Sequence, residues 1–127
     1  MLTARRQVPA SAAAVWAVLT DLDAWPVWGP TVSRATLDAD ELAVGARGTV
    51  WTPVGVPLPF RITEVVPGRR WSWSVAGVPA TTHSVEPINA ASPTWGSVVS
   101  MAAPLWAPVY LPVLHVALRR IERLASR

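Results

Sequence analysis

The feature that most constrains this chain is a single long amphipathic segment near its C-terminal end. Successive residues of an α-helix are about 100° apart, and at this spacing seven residues of the segment 109–125 fall on one broad arc: Tyr110, Leu111, Leu114, Ala117, Leu118, Ile121 and Ala125. Arg119, Arg120 and Arg123 fall on the opposite arc. The pattern predicts one long helix with a wide apolar face, and such a face is normally buried against another element of the fold.

Most of the chain before this helix has the pattern of a β-meander. Short segments rich in β-branched, aromatic or alternating residues are separated by turn signals such as Pro67-Gly68. In residues 70–75, Trp71, Trp73 and Val75 share one face, because side chains alternate across a strand. The predicted strands cover residues 31–37, 46–52, 60–66, 70–75, 81–86 and 94–101.

The N-terminal part of the chain predicts one strand and then helix. The segment Leu2–Val8 is compatible with a strand that ends at Pro9. Ser11 is a favourable N-cap, since its hydroxyl can accept hydrogen bonds from free backbone N–H groups, and strong helix formers follow it. The proline-rich and aromatic segment 25–30 predicts a packed corner, with either a break or a second short helix at Pro26.

Composition limits the classes of protein that this chain can belong to. It has 127 residues, of which 51% are hydrophobic and 15% charged, so it can form one core and is too apolar to be disordered. We expect a single domain over residues 1–127. The chain contains no cysteine, which excludes disulfides, thiolate nucleophiles and cysteine-based zinc sites.

The charge of the chain gives no support for nucleic-acid binding. The formal net charge is +3, and all 11 basic residues are arginine. They form small clusters, of which the largest lies at the end of the predicted helix, where cations offset the negative end of the helix dipole. A nucleic-acid binder usually gathers its basic residues on one face. We therefore expect no nucleic-acid partner.

One stretch raises the question of a membrane. Residues 87–118 contain no charged side chain, and a membrane-spanning helix needs about 20 apolar residues. Pro104, Pro108 and Pro112 interrupt the stretch, and proline in a helix interior removes a hydrogen bond and clashes with the preceding turn. We expect a soluble cytoplasmic protein. Exposed tryptophans at a cavity mouth (Trp25, Trp28, Trp95 or Trp106) would indicate transient contact with a membrane surface.

Several local motifs occur along the chain in the order of one protein family. They are VWAVLTD at 15–21, WPVW at 25–28, VGARG at 44–48, ITEVVPGRRWSW at 62–73 and HSVEP at 83–87. In this order they resemble the START/Bet v 1-like superfamily, and within it the SRPBCC group of polyketide cyclase/dehydrase and lipid-transport proteins. The chain departs from the family at the turn 89–93 and in the three prolines at 104, 108 and 112, so the cavity mouth is expected to differ.

The resemblance implies an α+β helix-grip fold. In this fold a curved antiparallel sheet of about seven strands wraps around the long C-terminal helix, and two short helices follow the first strand. The resemblance implies that the strand face with Trp71 and Trp73 points into the cavity. If the next strand pairs in an even register, His83 lies beside them on the same face. The candidate residues of the cavity between sheet and helix are Trp71, Trp73, His83, Val85, Phe60, Ile62, Tyr110, Leu111, Leu114 and Leu118.

Three functions are compatible with these residues. The first is binding or transport of a small hydrophobic ligand of lipid, polyketide or isoprenoid type, without a cofactor. The second is a cofactor-independent cyclase or dehydratase in which His83 is the acid/base. The third is a protein-interaction module with a reduced cavity. Both a monomer and a homodimer are compatible with the sequence.

The first function is favoured because His83 has no evident catalytic partner. Glu86 lies three residues further along the strand and therefore on its opposite face, while Glu64 lies close to a turn. A histidine satisfied by a neighbouring hydroxyl or backbone group is the more common arrangement. We also expect no metal site, because His83 and His115 lack the close spacing of usual ligand pairs.

Overall fold

The described part of the chain is built around one antiparallel sheet of seven strands. The computed structural model describes residues 2–89, 96–103 and 111–126. The helices in these ranges are α1 (Ala12–Thr20), α2 (Trp25–Trp28) and α3 (Leu111–Ala125). The strands are β1 (Leu2–Val8), β2 (Arg34–Leu37), β3 (Arg47–Trp51), β4 (Pro57–Val66), β5 (Arg70–Val75), β6 (Val78–Pro87) and β7 (Ser97–Ala103).

The sheet is a meander with its two ends far apart. The strands lie in the order β1-β7-β6-β5-β4-β3-β2, so consecutive strands from β2 to β7 pair with one another, and β1 pairs with β7. The pairing shifts between Ile62 and Glu64 in the β4–β5 ladder, and between Ser72 and Ser74 in the β5–β6 ladder. Shifts of this kind bend the strands, and the sheet is accordingly open and curved.

This architecture confirms the predicted α+β helix-grip fold, including the two short helices after the first strand. Some predicted bounds were wrong. β4 and β6 begin earlier than predicted, at Pro57 and Val78. β2 begins later, at Arg34, because the backbone N–H of Val32 donates to the carbonyl of Gly29 (3.1 Å) and forms a turn there. Residues 94–95 of the predicted last strand and 109–110 of the predicted helix lie outside the described residues.

The two short helices form a compact corner on one face of the sheet. Ser11 is the N-cap of α1, and its side chain accepts a hydrogen bond from the backbone N–H of Ala14 (3.1 Å). Val15 and Leu19 are the buried face of this helix. α2 has proline in its first turn, where the missing N–H costs nothing. Both helices contact α3, which fixes the corner against the rest of the core.

The C-terminal helix packs as its apolar stripe predicts. Its buried residues are Leu114, Ala117, Leu118 and Ile121. Besides α1 and α2, it contacts β1 and β7, and an ion pair between Arg6 Nε and Glu122 Oε2 (2.7 Å) joins it to β1. No helix in residues 2–89, 96–103 and 111–126 is long and apolar enough to cross a membrane.

Candidate ligand-binding cavity

A cavity of about 470 Å³ lies between the sheet and the apolar face of α3. Pockets that bind small molecules usually measure about 300–1,000 Å³. The wall is formed by α2, five strands, α3 and two loops, and it consists of Trp25, Trp28, Gly29, Pro30, Thr31, Val32, Val50, Thr52, Pro53, Leu58, Trp71, Trp73, Val75, Val78, Pro79, Ala80, Thr81, His83, Met101, Ala103, Val113, Leu114 and Ala117.

The chemistry of this wall is apolar and uncharged. Among the described residues that line it there is no aspartate, glutamate or arginine, and its polar side chains are three threonines and one histidine. The exposed members of the wall mark its opening to solvent: Thr31, Pro53, Val78 and Pro79. A charged group in such a surrounding would lose its hydration without gaining a partner. The cavity therefore suits an uncharged, mostly apolar molecule.

Two indoles from separate elements form the inner wall and share one hydrogen-bond acceptor. Trp25 of α2 and Trp71 of β5 are stacked, with ring centroids 4.9 Å apart. Their Nε1 atoms donate to the same carbonyl, that of Leu19, at 3.0 and 3.1 Å. Carbonyls in the last turn of a helix have no partner within the helix. The tryptophans therefore satisfy the end of α1, and this end in turn fixes both rings.

A third tryptophan extends this arrangement. Trp28 Nε1 donates to the carbonyl of Val18, also in the last turn of α1, at 3.3 Å. Both Trp25 and Trp28 are buried, at 1% and 5% exposure. Neither is therefore an exposed tryptophan at the mouth of the kind that would indicate membrane contact, while Trp95 and Trp106 lie outside the described residues.

His83 belongs to a chain of hydrogen bonds on the cavity wall. Trp73 Nε1 donates to Thr81 Oγ1 (3.0 Å), which lies 3.0 Å from His83 Nε2. On the other side of the ring, His83 Nδ1 lies 3.4 Å from the carbonyl oxygen of Trp71. The imidazole also stacks on the Trp71 ring, with centroids 3.9 Å apart. A hydroxyl and a backbone carbonyl therefore satisfy both ring nitrogens.

The surroundings of His83 strongly favour the neutral imidazole. The residue is 1% exposed. Burial lowers the pKa of His83 from 6.5 to about 3, an effect that the hydrogen bond to the Trp71 carbonyl opposes without cancelling. At neutral pH the ring carries no charge.

The low pKa of His83 predicts a specific loss of stability in acid. Between about pH 6.5 and pH 3 the unfolded chain binds a proton at this residue and the folded chain does not, so the folded state loses stability as the pH falls, by up to about tenfold in the unfolding equilibrium constant per pH unit. Above pH 6.5 this residue contributes nothing to the pH dependence of the free energy of unfolding. Urea unfolding at a series of pH values measures the slope, and ¹H–¹³C NMR of the ring reports its protonation directly.

The matched control for this prediction is His83→Gln, which keeps a polar side chain and removes the titration. We expect the variant to lose part of the slope between pH 6.5 and 3. An imidazole whose NMR signals titrate near pH 6.5 in the folded protein would contradict the prediction.

The structure brings together four of the ten sequence-predicted cavity residues. Trp71, Trp73, His83 and Leu114 lie on the wall, and Trp71 pairs directly with His83 across the β5–β6 ladder, as an even register requires. This pairing shows that Trp71 and His83 lie side by side in the sheet, whereas a role of the two residues in ligand binding remains a prediction. Tyr110 lies outside the described residues.

The other five lie in the packed core and not on the wall. Phe60, Ile62, Val85 and Leu118 are buried, and Leu111 is half-buried against the core. The ring of Phe60 covers Gly48, where an added Cβ would lie 2.5 Å from its Cζ atom. Strand alternation identifies the inward face, but it does not give the length of strand along which that face is open. That length depends on where the helices pack.

The remaining polar candidates lie away from the cavity. Glu86 is exposed, and Glu64 forms an ion pair with Arg70 (3.0 Å) that is partly open to solvent. His115 is exposed on α3. Within the described ranges no three histidine or acidic side chains converge on one point. His83 is therefore the one titratable side chain among the described residues of the wall.

Fold and cavity together define a helix-grip protein with an internal apolar pocket. A family model described as polyketide cyclase / dehydrase and lipid transport matches residues 1–124, and the chain belongs to this family. Membership supports either a ligand-binding or a cyclase role, and binding of a hydrophobic small molecule. Comparison with curated proteins gives no match.

Solved structures confirm the fold. A protein from Nitrosomonas europaea is 18% identical, with a TM-score of 0.67 over 98% of this chain and 93% of that one. A protein from Mesorhizobium loti is 15% identical, with a TM-score of 0.69 and coverage of 99% and 96%. A point mutant of norcoclaurine synthase from Thalictrum flavum, in complex with a transition-state analogue, is 15% identical, with a TM-score of 0.66 and coverage of 98% and 92%. At these identities the likeness concerns the fold alone.

Proposed function

We propose that this protein binds or carries a small, uncharged, hydrophobic molecule of lipid, polyketide or isoprenoid type in the cavity between sheet and α3. The observation that carries the proposal is the wall itself, which combines about 470 Å³ of space with apolar side chains and no charged group among its described residues. Family membership and the volume range of known ligand pockets support the same reading. The proposal takes residues 1–127 as one domain and keeps the cytoplasm as the expected location.

Catalysis by His83 has weaker support than binding. A general base needs a free nitrogen within reach of the substrate proton. Both nitrogens of His83 already have partners, at 3.0 and 3.4 Å, and no carboxylate lies among the described wall residues. The likeness to norcoclaurine synthase, at 15% identity, concerns the fold alone and gives no support for catalysis. A module with a reduced cavity is also disfavoured, because the cavity has the size of a ligand pocket.

Native mass spectrometry and thermal unfolding test the proposal. We use farnesol, 1-dodecanol and 1-naphthol as probes of isoprenoid, lipid and aromatic polyketide chemistry. A ligand that binds only the folded state at about 100 times its Kd stabilises that state by about 2.7 kcal/mol, which corresponds to a rise in Tm of roughly 5 °C or more for a domain of this size. We expect at least one probe to give this shift and a one-to-one complex.

Glycerol at the same concentration is the control, since it has hydroxyls without an apolar body. The proposal is contradicted if the purified chain carries no co-purifying molecule and none of the three probes changes either its mass or its Tm.

A further inference from the structure

Trp73, Thr81 and His83 form one hydrogen-bonded chain on the cavity wall, and the positions of its protons follow from the groups at its two ends. A carbonyl oxygen only accepts hydrogen bonds, so the Nδ1 atom of His83, which faces the Trp71 carbonyl at 3.4 Å, carries the ring proton. The neutral ring then has a bare lone pair on Nε2. The hydroxyl of Thr81, 3.0 Å away, must therefore donate its proton to this nitrogen.

The direction of these bonds determines what Thr81 can still offer. Its hydroxyl oxygen has two lone pairs. One accepts the Nε1–H of Trp73 at 3.0 Å. The described residues supply no hydrogen-bond donor for the second lone pair. Since Thr81 is a half-buried member of the cavity wall, this lone pair is an acceptor that remains for a ligand next to Trp73 and His83, whereas the other two wall threonines, Thr31 and Thr52, belong to loops.

The donors around this position are already used. Trp25 and Trp71 direct their Nε1–H groups to the Leu19 carbonyl, and Trp73 directs its own to Thr81. A ligand that can only accept a hydrogen bond finds no free indole donor among these three tryptophans. A buried acceptor without a partner loses the hydrogen bonds that it made with water.

We propose that the cavity selects ligands by a hydrogen-bond donor, a hydroxyl or N–H on an otherwise apolar and uncharged molecule, which binds Thr81 Oγ1. This inference rests on the proposed function, and it narrows the ligand class from hydrophobic molecules in general to alcohols, phenols and N–H heterocycles. Ketones, ethers and plain hydrocarbons of the same shape bind more weakly.

Three tricyclic molecules of nearly equal size and shape test the inference. Carbazole has an N–H donor, fluorenone has only an acceptor, and fluorene has neither. From the usual net strength of one hydrogen bond, we expect carbazole to bind about two- to twelvefold more tightly than fluorene. Fluorenone should bind no more tightly than fluorene. Quenching of tryptophan fluorescence or calorimetry gives the three Kd values.

The outcomes separate the inference from the proposed function. If all three molecules bind and carbazole has no advantage, or fluorenone binds most tightly, the inference is wrong while the proposed function stands. If none of the three binds and the farnesol, dodecanol and naphthol probes also fail, the proposed function falls and the inference with it. Failure of the three tricyclics alone overturns the inference only.

Two further measurements keep the inference testable in the protein itself. ¹⁵N NMR should show a proton on Nδ1 of His83 and none on Nε2. The opposite tautomer would overturn the inference, because Thr81 would then receive two donors and have no lone pair left. In Thr81→Val the Nε1–H of Trp73 is released, so fluorenone should gain affinity relative to fluorene. The matched control is Thr82→Val, since the Thr82 hydroxyl is paired with that of Ser72 (2.9 Å) and Thr82 is not part of the wall, and it should leave the ranking unchanged.

Discussion

Trp71→Ala is expected to lower the free energy of unfolding by about 3–5 kcal/mol, the usual cost of removing a large buried aromatic side chain. Trp71 is completely buried and stacks between Trp25 (4.9 Å) and His83 (3.9 Å). Its loss also removes one hydrogen bond to the Leu19 carbonyl (3.1 Å). Urea unfolding followed by circular dichroism measures the change.

The control for this prediction is Trp51→Ala. Trp51 is half-buried at the end of β3, and its contact with the guanidinium of Arg34 (4.7 Å) is a cation–π interaction near the sheet edge. Such contacts contribute about 0.5–1 kcal/mol at exposed sites, so the control should cost much less than Trp71→Ala. Equal losses would show that the stacked rings are not the centre of the core.

Ala103→Phe is expected to reduce ligand affinity at least about tenfold, which corresponds to about 1.4 kcal/mol of binding free energy. Ala103 is 1% exposed and lies on the cavity wall. A phenyl ring at this position occupies space that the ligand needs, while its apolar character suits the surroundings. Overpacking costs about 1–3 kcal/mol of stability where space is short. The Kd for carbazole or 1-naphthol is the measurement.

The neighbouring residue supplies the matched control. Ala102 precedes Ala103 on β7 and does not line the cavity, because successive side chains of a strand point to opposite faces. Ala102→Phe should keep the affinity of the original protein. If both variants bind the ligand equally well, the cavity is not the binding site.

The sequence was sufficient to predict most of the fold because local rules and tertiary structure agree in this chain. Ser11 caps α1 as its hydroxyl predicts. Trp71 and Trp73 face the same side of β5, as the strand period requires, and the apolar stripe of α3 is the part that is buried. In each case one residue type in one spacing leaves a single favourable arrangement.

The cavity wall was less predictable, since it depends on how separate elements meet. Trp25 was recognisable as part of a packed corner, but its place beside Trp71 depends on how α2 folds back onto β5. Val85 has the correct face and lies in the core instead of on the wall. Thr81 shows no signal beyond a strand residue, and its importance comes from the indole and the imidazole that flank it. Periodicity contains no information on such distant neighbours.

The shared acceptor at Leu19 has a consequence for the shapes that the protein can admit. Neither Trp25 nor Trp71 can swing aside without giving up a buried hydrogen bond, at a cost of about 1–3 kcal/mol. Pro53, in the loop after β3, and Pro79, at the start of β6, are exposed at the opening, and no side-chain hydrogen bond holds their rings. In a homologous series of ligands, the shape of the group that lies deepest in the cavity should therefore be restricted. Longer members of the series should still bind, because their tails can protrude through the opening.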